Sequence, residues 1–122
     1  NRKYIESMLD GYYEIAKMLE IQNKTSYGEE IFRQHLTSWL YTIVLSKLGS
    51  EDKKELFSKS YDIFKMYYTP DPYFKKIYNN LVSYILNKNF NLAVVEVDKL
   101  EKIQENMNNR SFLSRLKNKL RR

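Results

Sequence analysis

The chain has 122 residues, enough for one domain with a buried core, and carries a formal net charge of +6. At 43% hydrophobic and 15% aromatic it holds too much apolar material for a disordered chain, and three glycines and two prolines are too few for the tight turns of a β-rich domain. The absence of cysteine excludes disulfides and thiolate metal sites, and no apolar run approaches the roughly 20 residues that span a bilayer.

The lack of cysteine agrees with a reducing cytoplasm, and no secretory apolar region is present. Asn1 stands where a start methionine would, as in a chain processed or cut from a longer protein. The abundance of Lys, Asn, Ile and Tyr points to a low-GC bacterium. Charge is unevenly placed. Six basic residues and no acids follow Met107, leaving 15 basic residues to balance the 15 acidic ones before it. A neutral body with a basic end points to one localised anionic contact rather than a broad nucleic-acid footprint.

The periodicity predicts a first helix over Arg2–Ile21, with Ile5, Met8, Leu9, Tyr12, Ile15, Met18 and Leu19 recurring at three- and four-residue steps. Gln22–Lys24 breaks the pattern. Ser26 followed by Glu29 reads as a capping box for a second helix that runs to Leu48. Its stripe of Ile31, Phe32, Leu36, Trp39, Leu40, Ile43 and Val44 is the most apolar and marks the expected centre of the core. Gly49 falls where a left-handed residue after the helix is wanted.

Ser50 then caps a third helix, with Glu51 and Asp52 at its positive end. Leu56, Phe57, Tyr61, Phe64 and Tyr68 are its expected inner face. Thr69-Pro70-Asp71-Pro72 stops it, with Asp71 capping a fourth helix and Pro72 in its first position. Phe74, Ile77, Tyr78, Leu81, Val82, Ile85 and Leu86 stripe that helix. After the polar link Asn87-Lys88-Asn89, a fifth helix is expected over Asn91–Met107, facing inward through Leu92, Val95, Leu100, Ile103 and Met107. Val94, Val95 and Val97 lower its helix propensity. Asn106, Asn108 and Asn109 are expected to end it, and Ser111 to cap a short final helix. No tetratricopeptide-like repeat emerges. The expected architecture is all-α: an irregular antiparallel bundle of five to six helices, residues 1–109 forming the bundle and residues 110–122 a basic amphipathic C-terminal helix.

Candidate chemistry is sparse. His35 is the single histidine, flanked on its own helical face by Ile31, Phe32, Ser38 and Trp39, with no carboxylate spaced to join it, so it reads as a packed or partly exposed histidine rather than a metal ligand. No Gly-x-Ser-x-Gly elbow is present, and Gly11, Gly28 and Gly49 are isolated, so no phosphate loop exists. Glu29-Glu30 and Glu51-Asp52 sit at helix starts, where the helix dipole accounts for them. Tyrosines such as Tyr12, Tyr13, Tyr67, Tyr68, Tyr73, Tyr78 and Tyr84 fit the edge of a small core better than a stacking platform. The sequence therefore assigns no catalytic, cofactor or metal-binding residue.

The tail carries the clearest signal. Phe112, Leu113, Leu116 and Leu120 lie along one side of a helix, and Arg110, Arg115, Lys117, Lys119, Arg121 and Arg122 hold its flanks and opposite side. That is the pattern of an interfacial helix, whose apolar face enters the lipid boundary while its cations meet anionic headgroups. Packing of this helix on its own bundle and contact with nucleic acid are the competing readings.

The order of features resembles the C-terminal helical extension of bacterial family 2 glycosyltransferases, which have a GT-A catalytic domain. Asn1–Leu19 (NRKYIESMLDGYYEIAKML) looks like the first helix after such a domain, and SFLSRLKNKLRR looks like the cationic ends of these enzymes. The family's Asp-x-Asp motif has no match, since no two of Asp10, Asp52, Asp62, Asp71 and Asp98 are two positions apart. The resemblance implies a non-catalytic accessory domain for bracing, assembly or anchoring. Its partners would be the catalytic domain of the same polypeptide, another protein or a second copy, and its place the cytoplasm or the inner face of the plasma membrane. A free-standing protein-interaction module and a nucleic-acid-binding module acting through the tail stay open beside it.

Overall fold

The computed structural model describes residues 1–69 and 77–120, and among them the chain is an all-α bundle of five helices. These are α1 (Arg2–Ile21), α2 (Gly28–Leu45), α3 (Ser50–Tyr67), α4 (Ile77–Leu86) and α5 (Phe90–Leu120). The expected roles of Pro70, Asp71, Pro72 and Phe74, and the burial of Ile77, lie outside the described residues. Helices α2 and α3 pack on each other and form the middle. Helix α1 covers them on one side, while α5 packs against α2, α3 and α4 on the other.

Helix α1 begins where Asn1 Oδ1 accepts from the Lys3 amide, 3.0 Å away. It ends in a Schellman turn. Asn23 takes the left-handed conformation (φ 56°), the Asn23 amide reaches the Glu20 carbonyl and the Lys24 amide reaches Leu19. The same turn recurs after α4, with Lys88 at φ 57°, the Lys88 amide on Ile85 and the Asn89 amide on Tyr84. Short polar links thus reverse the chain tightly without glycine.

Several local expectations are corrected. Ser26 does not cap α2. Thr25–Tyr27 forms a 3-10 turn, and Tyr27 precedes the helix without a side-chain cap bond. Helix α2 stops at Leu45, short of Leu48. The left-handed residue after it is Lys47 (φ 56°), while Gly49 is extended at the start of α3 and Ser50 lies inside that helix.

The buried stripe of α2 is nearly as expected: Phe32, Leu36, Trp39, Leu40, Ile43 and Val44 are inside, but Ile31 is exposed. In α3 the core face is Leu56, Phe57, Ser60, Ile63, Phe64 and Tyr67 rather than the expected row through Tyr61 and Tyr68. Both rows step by threes and fours, so periodicity permits either, and the two faces lie only about 60° apart around the helix. Ser60 disguised that face, but its hydroxyl donates to the Phe57 carbonyl at 2.9 Å and sits in the core satisfied. Tyr61 is instead half-buried, with Lys88 Nζ 4.7 Å from its ring centroid.

Helix α5 also turns a different face inward. Ala93, Val94, Val97 and Leu100 are buried, and Leu92, Val95, Ile103 and Met107 are exposed. The expected break at Asn106–Asn109 and the cap at Ser111 are absent, because α5 runs unbroken to Leu120. Asparagine costs only some tenths of a kcal/mol within a helix, and neither glycine nor proline interrupts this one.

Candidate functional site: a cationic helix beyond the bundle

The distal half of α5 leaves the bundle for a reason visible along its own face. Ala93, Val97 and Leu100 bury the helix, and continuing the same side at steps of three and four reads Gln104, Asn108, Ser111, Arg115 and Asn118. Met107, one heptad after Leu100, is exposed, and nothing apolar follows it on that side to hold the helix down. From Glu105 to Leu120 every residue is exposed, a length of about 24 Å at 1.5 Å per residue.

Within this projecting segment a second apolar side begins. Phe112, Leu116 and Leu120 follow one another at four-residue steps with Leu113 beside them, spanning an arc of about 100°. This arc is turned about two fifths of a revolution from the side that buries Ala93, Val97 and Leu100. Helix α5 is therefore amphipathic twice, in two directions. All four apolar side chains are bare: Phe112 is 65% exposed, Leu113 55%, Leu116 43% and Leu120 78%. Lys117 and Lys119 flank the arc, and Arg110 and Arg115 lie beyond them on the helix surface. Arg121 and Arg122 lie outside the described residues. The structure thus brings eight of the sequence-derived tail residues onto one free helix.

The other candidates do not converge. The exposed His35 ring lies 5.6 Å from that of Tyr12, whose hydroxyl donates to the His35 carbonyl at 3.3 Å. Among the described residues no three His, Asp or Glu side chains gather as a metal site would require. An open groove of about 510 Å³ is lined by Thr25, Ser26, Glu29, Met66 and Tyr67, so the supposed capping pair faces a groove instead. No helix among the described residues is long and apolar enough to cross a membrane.

A few charged groups outside the tail brace the fold. Arg2 bonds Glu6, Asp52 and Glu55, and Lys59 reaches Glu6 at 2.9 Å, tying α1 to α3. The bonds to Asp52, Glu55 and Glu6 push the Arg2 guanidinium pKa up, while Lys59 first and Arg2 second hold Glu6 below its usual range. Buried Lys53 of α3 reaches Asp98 of α5 at 3.3 Å.

Sequence reasoning missed one surface. Between Arg33 and Lys47 the chain carries no charged residue, although charged residues make up 30% of the whole. On α2 the exposed members of that run are Gln34, His35, Ser38, Tyr41 and Leu45, with Thr42 half-buried among them. The neighbouring flank of α1 is charge-free too, through Tyr4, Met8, Gly11, Ile15 and Met18. The sequence signal is this uncharged run, which a periodicity reading assigns to the core alone.

No family model matches this chain, and comparison with curated proteins and with solved structures finds no match.

Proposed function

We propose that this chain is a non-catalytic helical accessory module that docks on an anionic membrane surface through the C-terminal half of α5. One observation carries the reading: a helix free of its bundle holds four bare apolar side chains on one arc, flanked by cations, with no acid after Glu105. In water such an arc is unfavourable. At a lipid boundary each apolar side chain gains on the order of 2 kcal/mol on burial, and each cation near an anionic surface contributes about 1 kcal/mol. The two contributions act together only on a surface that is both oily and negative.

The resemblance of the chain's two ends to the extension of family 2 glycosyltransferases supplies the proposed setting. There the module would brace or anchor a catalytic domain at the inner face of the plasma membrane. Packing of the tail on its own bundle has no support from a helix exposed on every side.

The test is co-sedimentation with vesicles. The protein is expected to bind vesicles containing phosphatidylglycerol far better than neutral ones, and added salt is expected to weaken the binding as charges are screened. Leu116→Glu is expected to reduce binding at least tenfold with an unchanged melting temperature, because Leu116 supports nothing in the fold. Equal recovery of the wild type and the Leu116 variant would overturn the proposal. Salt-sensitive binding to nucleic acid that ignores Leu116→Glu would replace it.

A further inference from the structure

The uncharged face of α2 has a symmetry of its own. Ile31, Ser38 and Leu45 lie a heptad apart in turn, along nearly one line of the helix, with the small residue midway. His35 precedes Ser38 by three positions and Tyr41 follows it by three. All five residues are exposed. Reversing the helix about Ser38 therefore exchanges apolar Ile31 with apolar Leu45, and the His35 ring with the Tyr41 ring.

We infer that this face binds a second copy of the chain, with α2 running antiparallel to its partner across a two-fold axis at Ser38. In that arrangement Ile31 meets the partner's Leu45, and His35 falls level with the partner's Tyr41 on the opposite flank of the seam, which is the self-complementarity an isologous interface requires. Ser38 at the axis lets the two helices approach closely. Helix α1 widens the contact. Its register against α2 is set by Trp39 Nε1 donating to the Ile5 carbonyl at 3.0 Å and Tyr12 donating to the His35 carbonyl. That register sets Tyr4, Ile15 and Met18 beside the α2 line, and a Cβ on Gly11 would meet nothing within 4 Å.

The composition fits. Protein interfaces are depleted in Lys, Glu and Asp and enriched in tyrosine and methionine at their centres. The area fits as well. Two helices about 27 Å long and together about 20 Å wide offer about 500–600 Å² per copy, so the pair covers about 1,100 Å². That just clears the roughly 1,000 Å² of a specific contact and sets the expectation of a weak, micromolar dimer. A dimer would also present two cationic helices to one surface, but the inference stands on α2 alone and survives if the membrane reading fails.

Sedimentation equilibrium of the full chain, from about 1 µM to about 500 µM, brackets that affinity. The mass is expected to rise toward twice that of the monomer. Ser38→Arg and Ser38→Glu are each expected to weaken association at least tenfold, because a charge at the axis faces its own copy. An equimolar mixture of the two variants is expected to recover it. Leu116→Glu is expected to change nothing.

A second measurement does not depend on those variants folding. The chain has no cysteine, so Ser38→Cys is expected to form a disulfide-linked dimer under mild oxidation, while Ser58→Cys, at an exposed position of α3, is not. Four results would overturn the inference. One is a monomer at the highest concentration. The others are association unaffected by the charged variants, no recovery on mixing, and loss of the dimer on Leu116→Glu, which would place the contact on the tail.

Discussion

The indole of Trp39 donates from Nε1 to the carbonyl of Ile5, 3.0 Å away and sealed from solvent. One side chain thereby fixes the depth and register of α1 on α2, while its rings pack edge-on to Phe57 at 6.5 Å and tilted to Phe64 at 6.1 Å. Trp39→Ala is expected to cost about 3–5 kcal/mol, and Trp39→Phe less, since the smaller ring keeps part of the packing and forfeits the bond. Denaturant titration of both variants checks the order. A cost below about 1 kcal/mol for the alanine variant would remove Trp39 from the centre of the core.

Two glycines separate packing from backbone effects. A Cβ added at Gly28 would lie 2.0 Å from the ring of buried Tyr67, so Gly28→Ala is expected to destabilise by about 1–3 kcal/mol as the ring is forced away. Gly11 sits in mid-helix with open space where its Cβ would be, so Gly11→Ala is expected to stabilise by about 0.5–1 kcal/mol. Thermal melts of the two variants should move in opposite directions.

Lys53 is only 4% exposed, and its ammonium pairs with Asp98, which is half open to water. Asp98→Ala leaves a buried cation short of a partner and is expected to cost about 1–3 kcal/mol. Lys53→Met fills similar volume without the charge and is expected to be near neutral. Equal losses in the two variants would show that the pair matters for its bond rather than for the charge it satisfies.

Stability is expected to hold on a plateau and fall at both ends of the pH range. Burial raises the phenol pKa values of Tyr12, Tyr13 and Tyr78 above their usual value near 10. Their contribution is complete below that value and is lost as pH rises through the higher folded values. Glu6 is depressed by its bonds to Lys59 and then Arg2, so its contribution is complete above its ordinary value of about 4.5 and is lost as pH falls toward the folded value. Melting temperature against pH is the measurement. Tyr78→Phe is expected to flatten the alkaline limb and Glu6→Gln the acid limb, each leaving the other limb in place.

The all-α class, the span of α1, most of the buried stripe of α2 and the places of the links from α1 to α2, α2 to α3 and α4 to α5 follow from local periodicity and punctuation. Those signals need only neighbouring residues to be read. The cationic tail was legible for the same reason, since its apolar and basic residues are interleaved over a few turns. Which side of α3 and α5 faces inward was decided by tertiary packing. Ser60 and Ala93 enter the core because a satisfied hydroxyl and a small side chain let helices approach, while the larger Leu92 and Val95 stay outside. Periodicity gives an angle around one helix and carries no information about where the other helices stand. The continuity of α5 through Asn106–Asn109 and the exposure of the uncharged α2 face were settled likewise, by where the bundle has a neighbour to offer and where it has none.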